Sequence, residues 1–507
     1  MGGRRRAALL VFLLLAAVSV SLALRAWLDP PRGTVFVGTF YYVDDFYNYL
    51  SYVEQAERGA FVFRNKLADP SLPPALVNLE WLAVGWLSAL LGGSPLLAYR
   101  LFGLLALAAL VLGIERWLTR SGLPPERRLA GLLLVGTGGG LGGLLLALGR
   151  LPAERALDVL TGAFPFVETI ANPHFVAGTA LLLAALGAYA TGRRATAAAL
   201  GTVLGLVRPY DAALLAGIEG VAVLLTTPAR AWPRRLLPVA ALLPVLAYNV
   251  WLFLASPGFS AFSSPRYASL APSPADLALA LGPAALLALT AVRGRGGDGA
   301  GHRLRLALWA TLALLVVLLR PVSFSLQLGV GIGVPLLVLG AVGLARLPRG
   351  ALEAAVPLMA STAAVVTWLC ANPGPSRYAP AERWRVATAL RAVCLPGETV
   401  LAPPDVGLYV GGLTPCWAFV SHAAAPDHDA RAEAVRRFYT QSTPEERASL
   451  LEGDCVAHVV LPPRAPGGWL GPAAPYRPRL ELPGPNGGIA VWSRDGAAAC
   501  AAPRRQP

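Results

Sequence analysis

The sequence predicts a polytopic α-helical membrane protein with a small α/β domain after its last membrane span, and three observations predict it. The composition is 55% hydrophobic and only 14% charged, against roughly 25% charge in soluble domains, and the mean hydropathy is +0.55. Apolar runs close to the roughly 20 residues of a helical crossing recur as far as residue 371. From about Pro373 the pattern changes to short strand-like runs alternating with charged helical stretches.

Arg4-Arg5-Arg6 and the apolar run Ala7 to Leu24 begin like a secretory signal, but no small-x-small cleavage site precedes Arg25-Ala26-Trp27. The run is expected to be a retained first span with its amino end in the cytoplasm. Residues 29–74 then form an outer loop that is Pro-rich, aromatic and too polar to span. Within it Glu54, Glu57 and Arg58 stand at near-helical spacing, which suggests a helix lying along the membrane interface.

Further apolar runs lie near 75–92, 97–117, 128–149, 173–191, 195–207, 211–227, 235–255, 276–292, 303–319, 323–345 and 351–371. The basic loops are Arg116 to Arg128, Arg193-Arg194, Arg230 to Arg235, Arg293 to Arg305 and Arg346 to Arg349. All five fall in the cytoplasm only if 75–92, with its Asn78 and Glu80, dips into the outer leaflet without crossing. About eleven spans result, with the carboxyl end outside. The same reasoning puts 150–172, 208–211, 256–275 and 320–322 on the outer face.

The expected domains are a membrane domain over 1–371 and an extracytoplasmic α/β domain over 372–507. The latter has helical stretches at Ala381 to Val393, Asp429 to Tyr439 and from Ser442, and strand-like runs at Thr399 to Ala402, Trp417 to Val420 and Val456 to Leu461. Thr443 suits a helix cap with Pro444 in the first helical position. The Pro- and Gly-rich end beyond Pro462 is expected to be loose. Cys394, Cys416, Cys455 and Cys500 fall in this domain, where disulfides are permitted. Four cysteines allow three pairings; Cys394 with Cys416 is slightly preferred, beside the equal alternative of unpaired thiols.

Composition also excludes some functions. The net charge of +14 is almost all arginine and is dispersed through short loops between apolar runs, which sets topology and argues against nucleic acid as a partner. The five cysteines show no metal-ligand spacing, and no phosphate-cradling glycine loop stands out. Gly138-Gly139-Gly140 with Gly142-Gly143 lies inside an apolar run and points to close helix packing.

The residues able to carry chemistry gather on the predicted outer side. They are Asp44, Asp45, Glu80, Glu168, His174, Arg208, Asp211, Arg266 and Arg320. Adjacent carboxylates beside a bilayer are costly to keep, so Asp44-Asp45 reads either as a working pair or as a solvated pair opening a helix. Asp45, Tyr49 and Tyr52 share a face if a helix starts at the pair, although an aromatic belt explains the tyrosines equally well. Asn172 suits a helix cap with Pro173 in the first turn, ahead of His174. Arg208 interrupts two apolar half-runs, where it can either grip a phosphate or pair with Asp211 and close the turn.

Taken together these features resemble the GT-C superfamily of membrane glycosyltransferases, which includes protein O-mannosyltransferases and lipid A aminoarabinose transferases. The resemblance rests on the acidic pair Asp44-Asp45 directly after span one, on Asp45 to Ser51, Asn172 to Phe175 and Arg208 to Asp211, and on the Ser421-His422 turn and Phe438-Tyr439 helix end of the tail. The basic-Pro-Pro-Leu signature of the aminoarabinose and mannosyl branches is present only as Leu72-Pro73-Pro74-Ala75-Leu76. The resemblance implies a polyprenyl-phosphate sugar donor and a glycan, lipid or protein acceptor; no cofactor is expected from the residues, with a divalent metal left open. It implies a base on Asp44 or Asp45, a phosphate-stabilising role for Arg208, and substrate or lipid-phosphate contacts from Tyr49, Glu168, His174, Asp211 and Arg266. The implied location is the plasma membrane. Two other classes fit the residues, a transporter or flippase of lipid-linked substrates and a non-catalytic envelope scaffold.

Overall fold

The computed structural model describes residues 2–494 except 69, 261–271, 292–298, 322–324, 349, 424, 426, 462–468, 471–474 and 484–488. The chain divides into two compact units, one of residues 1–26, 99–251 and 263–373 and one of 27–98, 252–262 and 374–507.

The first unit is helical. Its first helix, α1 (Gly2–Leu28), has no strong apolar stripe and turns Leu9, Leu10 and Leu13 outward, each at least half exposed, as a helix facing hydrocarbon does. Seven helices among the described residues are long and apolar enough to cross a membrane, eight if Ala229–Ala240 and Leu243–Leu254, bent by 47°, count as one span. The helices Pro173–Ala190 and Ser325–Leu344 are mostly buried inside the protein, whereas Arg5–Leu28, Ala300–Leu319 and Ala351–Ala371 are only 33% buried. The protein is therefore a multi-pass membrane protein with central and peripheral helices.

The apolar run 128–149 does not form the single span expected of it. It folds as helices Arg128–Thr137 and Gly142–Ala147, with extended backbone at Gly138. Gly139 N–H donates to Met359 O and Leu141 N–H to Leu279 O, both at 2.9 Å, so neighbouring helices satisfy the interrupted backbone. A Cβ on Gly140 would meet the Ala280 carbonyl at 2.2 Å, so the glycine run gives close approach and a break together.

The second unit holds the sheet. Strands β1 (Thr34–Phe36) and β2 (Tyr378–Pro380) pair antiparallel. A second sheet joins β3 (Thr399–Leu401), β4 (Trp417–Ala418), β5 (Val456–Leu461), β6 (Tyr476–Leu482) and β7 (Ile489–Arg494) in the order β4-β3-β5-β7-β6. The β3 strand is parallel to β4 and β5, whereas β7 is antiparallel to both β5 and β6. All six residues of β5 are buried, five of them apolar and the sixth, His458, bonded to Ser493 and Glu398. Leu401, Phe419, Val435, Phe438, Leu451 and Val459 form the core beneath it. The β6 and β7 strands lie within the stretch beyond Pro462, while Cys500 and Arg504-Arg505 lie outside the described residues. Thr443 and Glu446 form a reciprocal capping box ahead of helix Pro444–Gly453, with Pro444 at its start. Cys394 and Cys416 are disulfide-bonded.

Two helices of the first long loop complete this unit. Nine of the fifteen residues of α2 (Val43–Glu57) are buried. The helix packs against α3 (Leu79–Leu90) and against helix Pro404–Leu413, so most of it is internal to this unit. α3 has 12 residues, roughly 18 Å of helix, too short to cross a bilayer core of about 30 Å alone.

Candidate active site

The acidic pair owes its position to the start of α2. Tyr42, the residue before the helix, is held at φ 47° and ψ 52° and makes no side-chain cap. A bulky residue in the left-handed region is strained, and such strain persists where packing over-determines it. Phe46 N–H donates to Tyr42 O at 2.8 Å, and Asp44 and Asp45 follow in the first turn. There they stand at the positive end of the helix dipole.

The two carboxylates have different surroundings. Asp45 Oδ1 lies 3.2 Å from His422 Nε2, the histidine side chain being 9% exposed and the aspartate 49%, so a buried imidazole holds a solvent-reaching carboxylate. Asp44 is exposed and acts on Tyr409, whose phenol is pushed up first by burial and then by that carboxylate. Burial, with Asp45 next, likewise raises the Tyr42 phenol. Tyr47, beneath the pair, donates from Oη to Val37 O at 2.7 Å, packs edge-on against Tyr409 and is kept neutral by burial.

Because α2 begins at the acidic pair, Asp45, Tyr49 and Tyr52 share one of its faces. Tyr49 stacks on Trp81 with ring centroids 4.8 Å apart, and Tyr52 packs against Phe63. Glu80 is in the first turn of α3, capped by Asn78, whose Oδ1 accepts from Glu80 N–H and Trp81 N–H. These polar residues, outliers in an apolar run, therefore begin a helix.

The far end of α2 is a network of charges. Buried Glu54 pairs with Arg58 and with Lys66, the latter at 3.1 Å. Burial lowers the Lys66 ammonium from the ordinary lysine range while Glu54 opposes it, and Lys66 Nζ also donates to the carbonyls of Gly411 and Thr414. Glu57 takes Arg391 and the Ser88 hydroxyl. A cavity of about 690 Å³ opens beside Glu54 and Arg58.

Glu168, His174, Arg208 and Asp211 belong to the first unit. Arg208 Nε is 3.4 Å from Asp211 Oδ2 with both side chains almost wholly buried, Nη2 donates to Gln327 O at 3.1 Å, and the guanidinium lies over Phe175. Arg208 and Asp211 thus meet across the break between helices Arg194–Val207 and Pro209–Thr226. Glu168 accepts from the Thr179 hydroxyl at 3.3 Å, and burial raises its carboxyl well above the usual range against the opposing charge of Arg208. Asn172 caps the next helix by accepting from His174 N–H at 3.1 Å, with Pro173 in the first turn. Arg320 donates to Pro272 O. Arg266 lies outside the described residues.

His422 and Lys66 are the residues the sequence reading missed as members of the site. The Ser421-His422 dipeptide was legible as a turn, but nothing local announces a carboxylate 377 positions earlier. Lys66 is a buried lysine in a chain whose positive charge is otherwise arginine, and that rarity was the available signal. Among the described residues one group has metal-ligand proximity, Cys394, Cys416 and His458, but its two sulfurs are bonded to each other.

No family model and no curated protein matches the chain. Solved structures do. ArnT from Cupriavidus metallidurans in the apo state is 16% identical with a TM-score of 0.51, over 97% of this chain and 99% of that one. The archaeal oligosaccharyltransferase AglB from Archaeoglobus fulgidus, in complex with an inhibitory peptide and a dolichol-phosphate, is 12% identical with a TM-score of 0.44 over 98% and 75%. The arabinofuranosyltransferase AftD from Mycobacteria is 18% identical with a TM-score of 0.49, over 95% of this chain but only 40% of that one. The likeness to ArnT gives this chain the fold of that protein.

Proposed function

We propose that the protein is a membrane glycosyltransferase that moves a sugar from a polyprenyl-phosphate donor to an acceptor hydroxyl, with Asp45 as the general base. The observation that carries this reading is the Asp45–His422 pair at the start of a buried helix, with Asp45 still half open to solvent. The likeness to ArnT supports it at the level of fold.

The chemistry needs one base opposite the leaving group. Asp45 takes the proton of the acceptor hydroxyl as its oxygen attacks the anomeric carbon, the bond from that carbon to the phosphate oxygen breaks, and polyprenyl phosphate departs with the bonding pair. One displacement inverts the anomeric centre. His422 acts through Asp45, fixing the carboxylate orientation, so it is a positioning residue. Asp44, on the Tyr409 side, contributes charge but among the described residues has no such orienting partner. Arg208, engaged by Asp211, Gln327 and Phe175, is assigned to holding the helix break and not to the departing phosphate.

The test replaces each aspartate separately in membranes where this chain supplies the transfer. Asp45→Asn is expected to lower transfer about 100-fold or more with normal insertion, and Asp44→Asn by much less. Equal loss in both variants contradicts the assignment of the base, and no loss in either contradicts the enzyme.

A further inference from the structure

We infer that the cavity beside the C-terminal half of α2 binds an acidic oligosaccharide. Its volume of about 690 Å³ lies within the roughly 300–1,000 Å³ of small-molecule sites and exceeds the needs of one sugar ring. It is contained in the second unit.

Its walls combine three kinds of chemistry. Val62, 38% exposed, and Leu72 line it with apolar side chains against which the C–H face of a sugar ring can pack. Asp427 and Asp454 line the same space and can accept from sugar hydroxyls. Arg64 and Arg431 supply positive charge. Arg64 Nη1 donates to the Pro70 and Leu72 carbonyls, each at 3.1 Å, and Arg431 lies over the Phe419 ring with Nη1 3.5 Å from its carbonyl.

The charge distribution decides the class of ligand. Glu54 is taken up by Lys66 and Arg58, one carboxylate between two cations, and with Arg64 and Arg431 set against Asp427 and Asp454 the lining carries four cations and three carboxylates. Among the described residues the guanidiniums of Arg64 and Arg431 are bonded to carbonyls instead of carboxylates. Carbonyl bonds fix a guanidinium without cancelling its charge, and its remaining N–H groups suit the two oxygens of a carboxylate. A neutral glycan leaves that charge unused, whereas a uronic acid pairs with it.

Glu54 stands nine positions after Asp45, roughly 13 Å along the helix. An acceptor of more than one ring, anchored in the cavity by its acidic residue, can extend a hydroxyl toward Asp45. Its identification as the acceptor rests on the transferase reading; the binding site itself does not.

The experiment uses the full chain in lipid nanodiscs and measures affinity for a uronic-acid-containing trisaccharide, a neutral trisaccharide and inorganic phosphate. The expected result is binding of the acidic trisaccharide about ten-fold or more tighter than of either other probe, weakened about ten-fold by Arg64→Gln and by Arg431→Gln. Arg64 is exposed, so that variant leaves the core intact. Equal affinity for the neutral trisaccharide, phosphate binding as tight as the acidic sugar, or unchanged affinity in both variants overturns the inference. Selective binding without any transfer from a polyprenyl-phosphate sugar upholds the site and sinks the transferase reading. Transfer at a rate unmoved by both substitutions upholds the transferase reading and sinks the identification of the bound sugar as its acceptor.

Discussion

Asp45 and His422 illustrate what a single residue contributes. An exposed carboxylate at a helix start is ordinary; a carboxylate held at 3.2 Å by an imidazole that is itself nearly buried is oriented. His422→Gln is expected to lower kcat roughly 10- to 100-fold while leaving KM within about two-fold, because it misaligns the base without touching binding. An equal rise in KM contradicts a positioning role. Glu168 gives a second prediction. Its raised folded-state carboxyl pKa means that the folded protein keeps a proton which the unfolded chain releases once pH exceeds the ordinary glutamate value. Stability from this group is therefore complete below that value and declines as pH rises toward the folded one. Glu168→Gln copies the protonated form, so its thermal midpoint in detergent should gain on the wild type between pH 4 and pH 8. A variant that loses ground over that interval refutes the assignment. The acidic pair, Glu168, Arg208 and Asp211 were all legible as polar outliers in apolar surroundings. Their division between two units and the pairing of Asp45 with His422 depend on tertiary contacts, which local pattern does not encode.

At the scale of elements, periodicity and capping chemistry carried far. Asn172-Pro173 and Thr443-Pro444 begin helices as their chemistry requires. The run 128–149 misled because hydropathy counts glycine as compatible with a span and does not register that three in succession allow neighbouring backbones to enter. Gly140→Ala tests this point. Its new methyl meets a backbone carbonyl that no rotamer can move aside, so a loss of about 3 kcal/mol or more is expected, read as reduced yield of folded protein and a lower thermal midpoint. A wild-type midpoint in Gly140→Ala rules out close approach as the reason for the glycines. The β6–β7 pair was missed for a different reason. β6 begins Tyr476-Arg477-Pro478-Arg479 and is mostly exposed, so proline and charge masked a strand whose hydrogen bonds come from β7.

For the whole molecule, composition alone fixed the membrane class, and the acidic pair after the first apolar run pointed to the fold that the likeness to ArnT supports. The soluble-looking tail and the first long loop were read as separate regions because 300 residues part them in sequence, yet α2, α3 and the sheet belong to one compact unit. That organisation gives the loop helix a rigid mount, and a rigid mount is what a general base requires. The most direct measurement is release of polyprenyl phosphate from a purified sample of the full chain given a polyprenyl-phosphate-linked sugar and an envelope glycan fraction as acceptor. The account predicts release that is coupled to sugar transfer and falls about 100-fold or more in Asp45→Asn. Release at the wild-type rate from correctly folded Asp45→Asn protein would contradict it.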